Sequence, residues 1–229
     1  ELRGEVAEDL PTRTTPGEVT SLDAHRRILP MFPLGSVTAP GSVLPLQVFE
    51  PRYRLLVQDC IDADRRFGTV LIERGSEVGG GDQRCSIGSL VSLVEVGPGF
   101  GGRIAVVGAA MERLRVVEWL QDDGYPRAVV EPHPDDIADE LTPGLLSAAT
   151  SVVEEFLHRA AELGVPIDPN LDLPDDPTLA SHVLSALSPL GPLDRQRLLE
   201  SAGPTARLGP LVALMDGQIE LLEARRPLA

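Results

Sequence analysis

The hydrophobic pattern of this chain changes period once, near Pro132 and Pro134, and that change limits the folds open to it. Before it, short runs that are apolar on alternate positions are punctuated by Gly and Pro, as in strands with one buried face. After it, apolar residues recur at helical spacing. The β-type runs cover 28–32, 42–49, 68–73, 86–96, 103–107, 112–120 and 127–131. In Arg113-Leu114-Arg115-Val116 the Leu and Val take one face of a strand and the arginines the other. Strands first and helices afterwards describe an α+β chain whose β part is a barrel or a sandwich.

One helix interrupts the β part. Pro51 stands where a first helical residue belongs, and Tyr53, Leu56, Val57, Cys60 and Ile61 follow at i, i+3, i+4, i+7 and i+8. Cys60 lies in that stripe and reads as a buried small hydrophobe. In the second half, Ala149, Val152, Val153, Phe156, Leu157 and Ala160 form an apolar stripe that ends near Gly164. Further helices are expected over 178–187, 193–201 and 206–225, with Thr178 in the capping stretch of the first of them. Pro210 belongs in the first turn of the last helix or else kinks it.

Composition removes several classes of chemistry. Among 229 residues there are 20 basic and 35 acidic, a net charge of −15, and every basic residue is Arg. Without lysine there is no Schiff base, no phosphate-loop lysine and no Ser-Lys dyad. The acidic balance argues against nucleic-acid partners, which are held through cationic contacts to phosphate. No apolar run approaches the roughly 20 residues that span a bilayer. Residues 1–25 are acidic and Thr-rich, contain Pro11 and Pro16, and lack the pattern of a secretion signal. A cytoplasmic, membrane-free protein is expected. Two cysteines, Cys60 and Cys85, do not make a disulfide framework.

The chemical motifs are sparse. The glycine-rich stretch over 75–82 precedes a strand rather than a helix, so it reads as a wide turn and not a phosphate cradle. Gly97-Pro98-Gly99-Phe100-Gly101-Gly102 reads first as a plain hairpin connection, and alternatively as a tip that offers Phe100 to a partner as an exposed aromatic. His25, His133, His158 and His182 are scattered with no HExxH spacing, and no GxSxG elbow is present. Asp122-Asp123, Asp135-Asp136 and Asp175-Asp176 read as solvating loop charge. No catalytic, cofactor or metal site is expected. Two alternatives stay open: a small hydrolase using loop carboxylates with His133, and RNA binding through a local patch of Arg113, Arg115 and Arg127.

Leu29-Pro30-Met31-Phe32-Pro33-Leu34-Gly35, Pro40-Gly41 and Leu44-Pro45-Leu46-Gln47-Val48-Phe49-Glu50-Pro51-Arg52-Tyr53-Arg54 resemble the start of the Lon protease N-terminal substrate-binding domain. Phe67-Gly68 through Ile72 and the loop over 74–82 match it further, in the manner of bacterial stand-alone members. Residues 184–222, with Asp194-Arg195-Gln196-Arg197-Leu198-Leu199-Glu200 inside them, look like its helical end. The resemblance implies a PUA-like β pseudo-barrel with one inserted helix, followed by a C-terminal helical bundle. The expected organisation is a flexible acidic tail over 1–25, the pseudo-barrel over 26–133 and the bundle over 134–229. It also implies a non-catalytic module that recognises polypeptide segments or a protein partner, with neither the ATPase nor the protease of full-length Lon. A groove where barrel meets bundle, or an open strand edge, is the expected binding surface. Tyr53, Phe100 and Trp119 are the candidate contacts, while Glu50 and Arg52 are expected to pair locally or cap the helix.

Overall fold

Among the described residues, alternating aliphatic side chains build six strands: β1 (Arg27–Leu34), β2 (Val43–Val48), β3 (Arg66–Arg74), β4 (Gln83–Pro98), β5 (Ile104–Trp119) and β6 (Arg127–Pro132). The structure is a computed structural model that describes residues 25–74 and 83–224. Residues 1–24 of the acidic tail and the whole 75–82 loop lie outside the described residues. The strands form one mixed sheet in the order β2-β5-β4-β3-β1-β6, and a β5–β6 pairing joins its ends so that β5, β4, β3, β1 and β6 close a ring. Within that ring β1 and β3 are parallel and the other pairs antiparallel. β2 stays outside it, paired only with the first half of β5.

The runs at 103–107 and 112–120, separate in the sequence reading, are one strand. Gly108, Ala109 and Ala110 look like a break, yet they continue β5 between two neighbours, with Gly108 opposite both Leu44 and Leu93. A Cβ on Gly108 would stand 2.5 Å from a Val91 methyl, so small residues are required there by packing. A tighter approach occurs at Gly88 in β4, where an added Cβ would stand 1.9 Å from the Thr69 carbonyl oxygen. Backbone cannot yield as a side chain does, so Gly88→Ala is expected to cost about 3 kcal/mol, the upper end of overpacking penalties. Urea unfolding of the variant measures it.

Helix α1 (Pro51–Asp62) buries Tyr53, Leu56, Val57 and Cys60 against Phe32, Phe67, Val91 and Val106 of the sheet, the stripe that its spacing predicts. Glu50 precedes it without capping it; its carboxylate instead accepts from Arg52 Nε at 3.1 Å. The Tyr125 hydroxyl donates to Asp59 at 2.7 Å and ties the helix to the β5–β6 connection. Burial, with Asp64 and Asp59 nearby, pushes the Cys60 thiol up to about 12, and burial beside Glu200 and Glu73 raises that of Cys85, so neither is an activated nucleophile.

Four helices follow: α2 (Leu145–Glu162), α3 (Pro177–Leu187), α4 (Pro192–Glu200) and α5 (Pro204–Ala224). They share an aliphatic core that includes Val153, Leu157, Leu184, Leu198, Leu211 and Met215. The cap of α3 is Asp176, which accepts from Leu179 N–H at 2.7 Å; Thr178 is already helical. Pro210 falls inside α5, beyond its first turn, where it deprives the Ala206 carbonyl of its helical donor.

Candidate functional site

Two places combine side chains from the sheet and the helices: a polar junction centred on Asp135, and a groove along the outer edge of β2. At the junction, Asp135 Oδ1 accepts from Arg207 Nη2 at 2.7 Å and from Arg113 Nη2. Arg113 Nη1 also donates to the carbonyls of Leu199 and Ser201, each at 2.7 Å, and Arg207 Nη1 donates to Ser181 Oγ at 2.5 Å. Arg207 is 0% exposed and Arg113 4%. Sheet and helices are therefore joined by two buried cations sharing one carboxylate, beside an apolar seam of Ala39, Ile87 and Leu199.

This geometry bears on both alternative readings. Arg113, Arg115 and Arg127 do not form a basic face: Arg113 is buried on Asp135, Arg115 pairs with Glu131, and Arg127 pairs with Asp123 at 3.3 Å. The alternation that places Arg113 opposite Leu114 is right, but the helices cover that face at Arg113 and leave Arg115 exposed. His133 does border a cleft of about 280 Å³ with Asp135, Asp176 and His182. Its carboxylates are engaged, however: Asp135 Oδ1 with the arginines, Asp176 with the α3 cap and Glu112 with Arg27, while Asp135 Oδ2 is buried without a hydrogen-bond partner among the described residues. Burial and the charges of Arg113 and Arg115 hold His133 below the ordinary histidine range. Among the described residues, no three His, Cys, Asp or Glu side chains converge to hold a metal ion.

His182 gives the junction a pH dependence. Its Nε2 is 3.8 Å from Asp135, yet burial, reinforced by Arg207 and Arg113, pushes its pKa down to about 2. An unfolded histidine titrates near 6.5. The folded state thus binds fewer protons below 6.5, so the contribution is complete above that value and lost progressively as pH falls toward 2. Between pH 6.5 and 5 the loss is expected to be about 2 kcal/mol. Urea unfolding across that interval should show this slope, flattened in His182→Asn.

The groove begins with an open edge. The amide of Ala110 donates to the Ser42 carbonyl at 2.9 Å, which fixes the register parity of the β2–β5 ladder. Leu44, Leu46 and Val48 turn their backbone groups toward β5, and Val43, Pro45 and Gln47 turn theirs outward. Proline is tolerated at the outward position because no ladder bond needs its missing N–H. Among the described residues no strand pairs with this outer edge.

Concavities lie on both sides of Pro45. Ahead of it, a cavity of about 580 Å³ separates the start of β2 from α3 and α4, with Val37, Val43, Val183, Ala186, Leu187 and Arg195 in its lining. Beyond it, a cavity of about 170 Å³ runs between β2 and the end of β1, bordered by Phe32, Leu34, Leu46, Phe49 and Tyr53. The lining is mostly apolar, and Val43, Phe49 and Leu187 are exposed.

The three aromatic candidates are not brought together. Tyr53 is 3% exposed, stacked on Phe32 with ring centroids 4.0 Å apart, and borders the smaller cavity. Phe100 is 90% exposed on the turn between β4 and β5. Trp119 ends β5, at the other extremity of that strand, under the Arg84 guanidinium 4.3 Å from its ring centroid. Arg195 and Val43 escape the sequence reading. Nothing in the spacing of Arg195 separates it from the neighbouring solvent-facing charges of α4, and Val43 reads only as one strand residue among many.

The chain was compared with known proteins. The model of the ATP-dependent protease La (LON) substrate-binding domain matches residues 28–217. Lon protease 2 of Myxococcus xanthus is 26% identical over 96% of this chain and 27% of its own length. Lon protease of Escherichia coli K12 is 23% identical over 89% of this chain and 26% of its own. The chain thus spans about a quarter of the curated relatives it matches. The crystal structure of a Lon N-terminal domain protein from Xanthomonas campestris superimposes with a TM-score of 0.59 at 30% identity, covering 82% of this chain and 98% of that one. The N-terminal domain of a Mycobacterium avium complex Lon protease, at 20% identity, shows the same fold with a TM-score of 0.63 over 83% of this chain and 98% of its own. With a family model matched over nearly all of the described residues, the chain belongs to the Lon substrate-binding domain family.

Proposed function

We propose that this chain is a recognition module that binds extended polypeptide segments and catalyses no reaction on them. The observation that carries the reading is the groove along β2, where an unpaired backbone edge runs between two mostly apolar concavities. An extended segment laid there finds main-chain donors at Val43 and Gln47 and apolar walls for its side chains. The family match supports the same reading, since the matched unit is by description the substrate-binding part of the protease. Among the described residues no helix is long and apolar enough to cross a membrane. We further propose that the β and helical parts act as one body through the Asp135 junction, so the groove keeps a fixed width.

Fluorescence anisotropy tests the proposal, with labelled extended peptides of apolar composition and a chemically unfolded protein set against its folded form. Saturable binding of the peptides and the unfolded chain, with the folded form excluded, is expected. Binding should survive high salt, because apolar contacts are not screened. Equal and negligible affinity for all probes would overturn the reading.

A further inference from the structure

Arg195, a cation in the groove, has no counter-ion among the described residues. Arg195 lines the larger cavity, and its Nη2 donates to the Ser188 carbonyl at 2.8 Å. Its Nε is buried and has no hydrogen-bond partner among the described residues. Burial alone lowers its pKa; no carboxylate contributes. Other buried arginines of this acidic chain meet a carboxylate, as Arg113 and Arg207 meet Asp135, while Arg54 and Arg65, like Arg195, donate to backbone carbonyls. Nor does Arg195 serve its own helix, because it stands near the N-terminal end of α4, where the helix dipole disfavours a cation. Across the cavity Ser42 Oγ is a second buried polar atom without a partner.

An unpaired, partly desolvated guanidinium is the group that binds a carboxylate most strongly. An acidic segment would carry several, and a protein of net charge −15 repels it. An apolar segment that carries a single carboxylate at its chain end meets both the apolar lining and the Arg195 charge of the larger cavity. Direction agrees. The cavity that holds Arg195 flanks the start of β2, and a strand added antiparallel to β2 points its C-terminus toward that end. We propose that the groove between β2 and α3 takes the C-terminal end of an extended apolar peptide and that Arg195 pairs with its terminal carboxylate. The proposal rests on the peptide-binding reading above and adds to it a ligand class and an orientation.

The test uses three fluorescein-labelled octapeptides of one Val, Leu and Ser sequence: with a free C-terminal carboxylate, with a C-terminal amide, and with a C-terminal amide and one internal Glu. The full chain is expected to bind the free acid about tenfold or more tightly than either amide. In Arg195→Gln the ratio of acid to amide affinity should fall to about one. The comparison of acid with amide is made on the unaltered chain and so does not depend on the variant folding. If acid and amide bind equally, the proposal is overturned while the peptide-binding reading stands. An internal Glu that matches the free acid overturns the chain-end assignment in favour of an acidic side chain. Failure of all three peptides to bind overturns the peptide-binding reading, and this proposal with it.

Discussion

Asp135→Ala is expected to cost about 3–5 kcal/mol of folding stability, the usual consequence of breaking a buried ion pair by removing one partner. The reason is what remains behind. Arg207 is fully buried and Arg113 nearly so, and each would keep its charge in a site where no other carboxylate is within ion-pairing reach among the described residues. Arg113 would retain its bonds to the Leu199 and Ser201 carbonyls, which satisfy hydrogen bonds but do not neutralise it. Asp135→Asn separates the two contributions, since it keeps an acceptor and removes the charge; it should lose nearly as much. Replacing the trio together, with Arg113→Met, Asp135→Leu and Arg207→Met, should be far milder, because no unpaired charge is left in the interior. Urea unfolding at pH 7 measures all three. A loss under about 1 kcal/mol for Asp135→Ala would mean that water reaches the junction and that sheet and helices are not locked through it.

The second large effect is expected on binding rather than folding. Val43 on the edge of β2 and Leu187 at the end of α3 both line the larger cavity, and both are exposed. Substitution at exposed sites usually changes stability by less than about 0.5 kcal/mol. Val43→Glu with Leu187→Glu should therefore leave the unfolding midpoint almost unchanged. It should also put two carboxylates into the apolar path of a peptide and weaken its binding by about 100-fold, on the scale of hot-spot losses. Anisotropy with the free-acid octapeptide measures the loss. Unaltered affinity would place the binding surface elsewhere.

Much of the fold was legible because it is local. The α1 stripe from Tyr53 to Cys60, the stripe of α2 and the alternation in the strands each depend on neighbours within one or two turns or pleats. The misread break at Gly108 shows where that stops: three small residues look like a connection until Val91 and Leu44 are known to press against them. Asp135 shows the same limit at the site. Next to Asp136 in a proline-flanked stretch it reads as solvating charge, and its partner Arg207 lies 72 positions away. Tyr53 stands both in the core-facing stripe of α1 and among the candidate contacts, and the structure favours the first, with most of its ring packed on Phe32 and the core. Arg195 could not be found from sequence at all. What distinguishes it is a buried Nε left without a partner among the described residues, beside an apolar cavity, a property of the assembled groove.

The central claim is that an extended polypeptide lies along the outer edge of β2. Backbone amide exchange followed by NMR, with and without saturating free-acid octapeptide, tests it residue by residue. The outward N–H groups of Val43 and Gln47 should exchange at least tenfold more slowly in the complex, while those of Leu44 and Val48, already bonded to β5, should change little. Protection confined to α2 and α5, or to the turn that carries Phe100, with Val43 and Gln47 unchanged, would contradict the account.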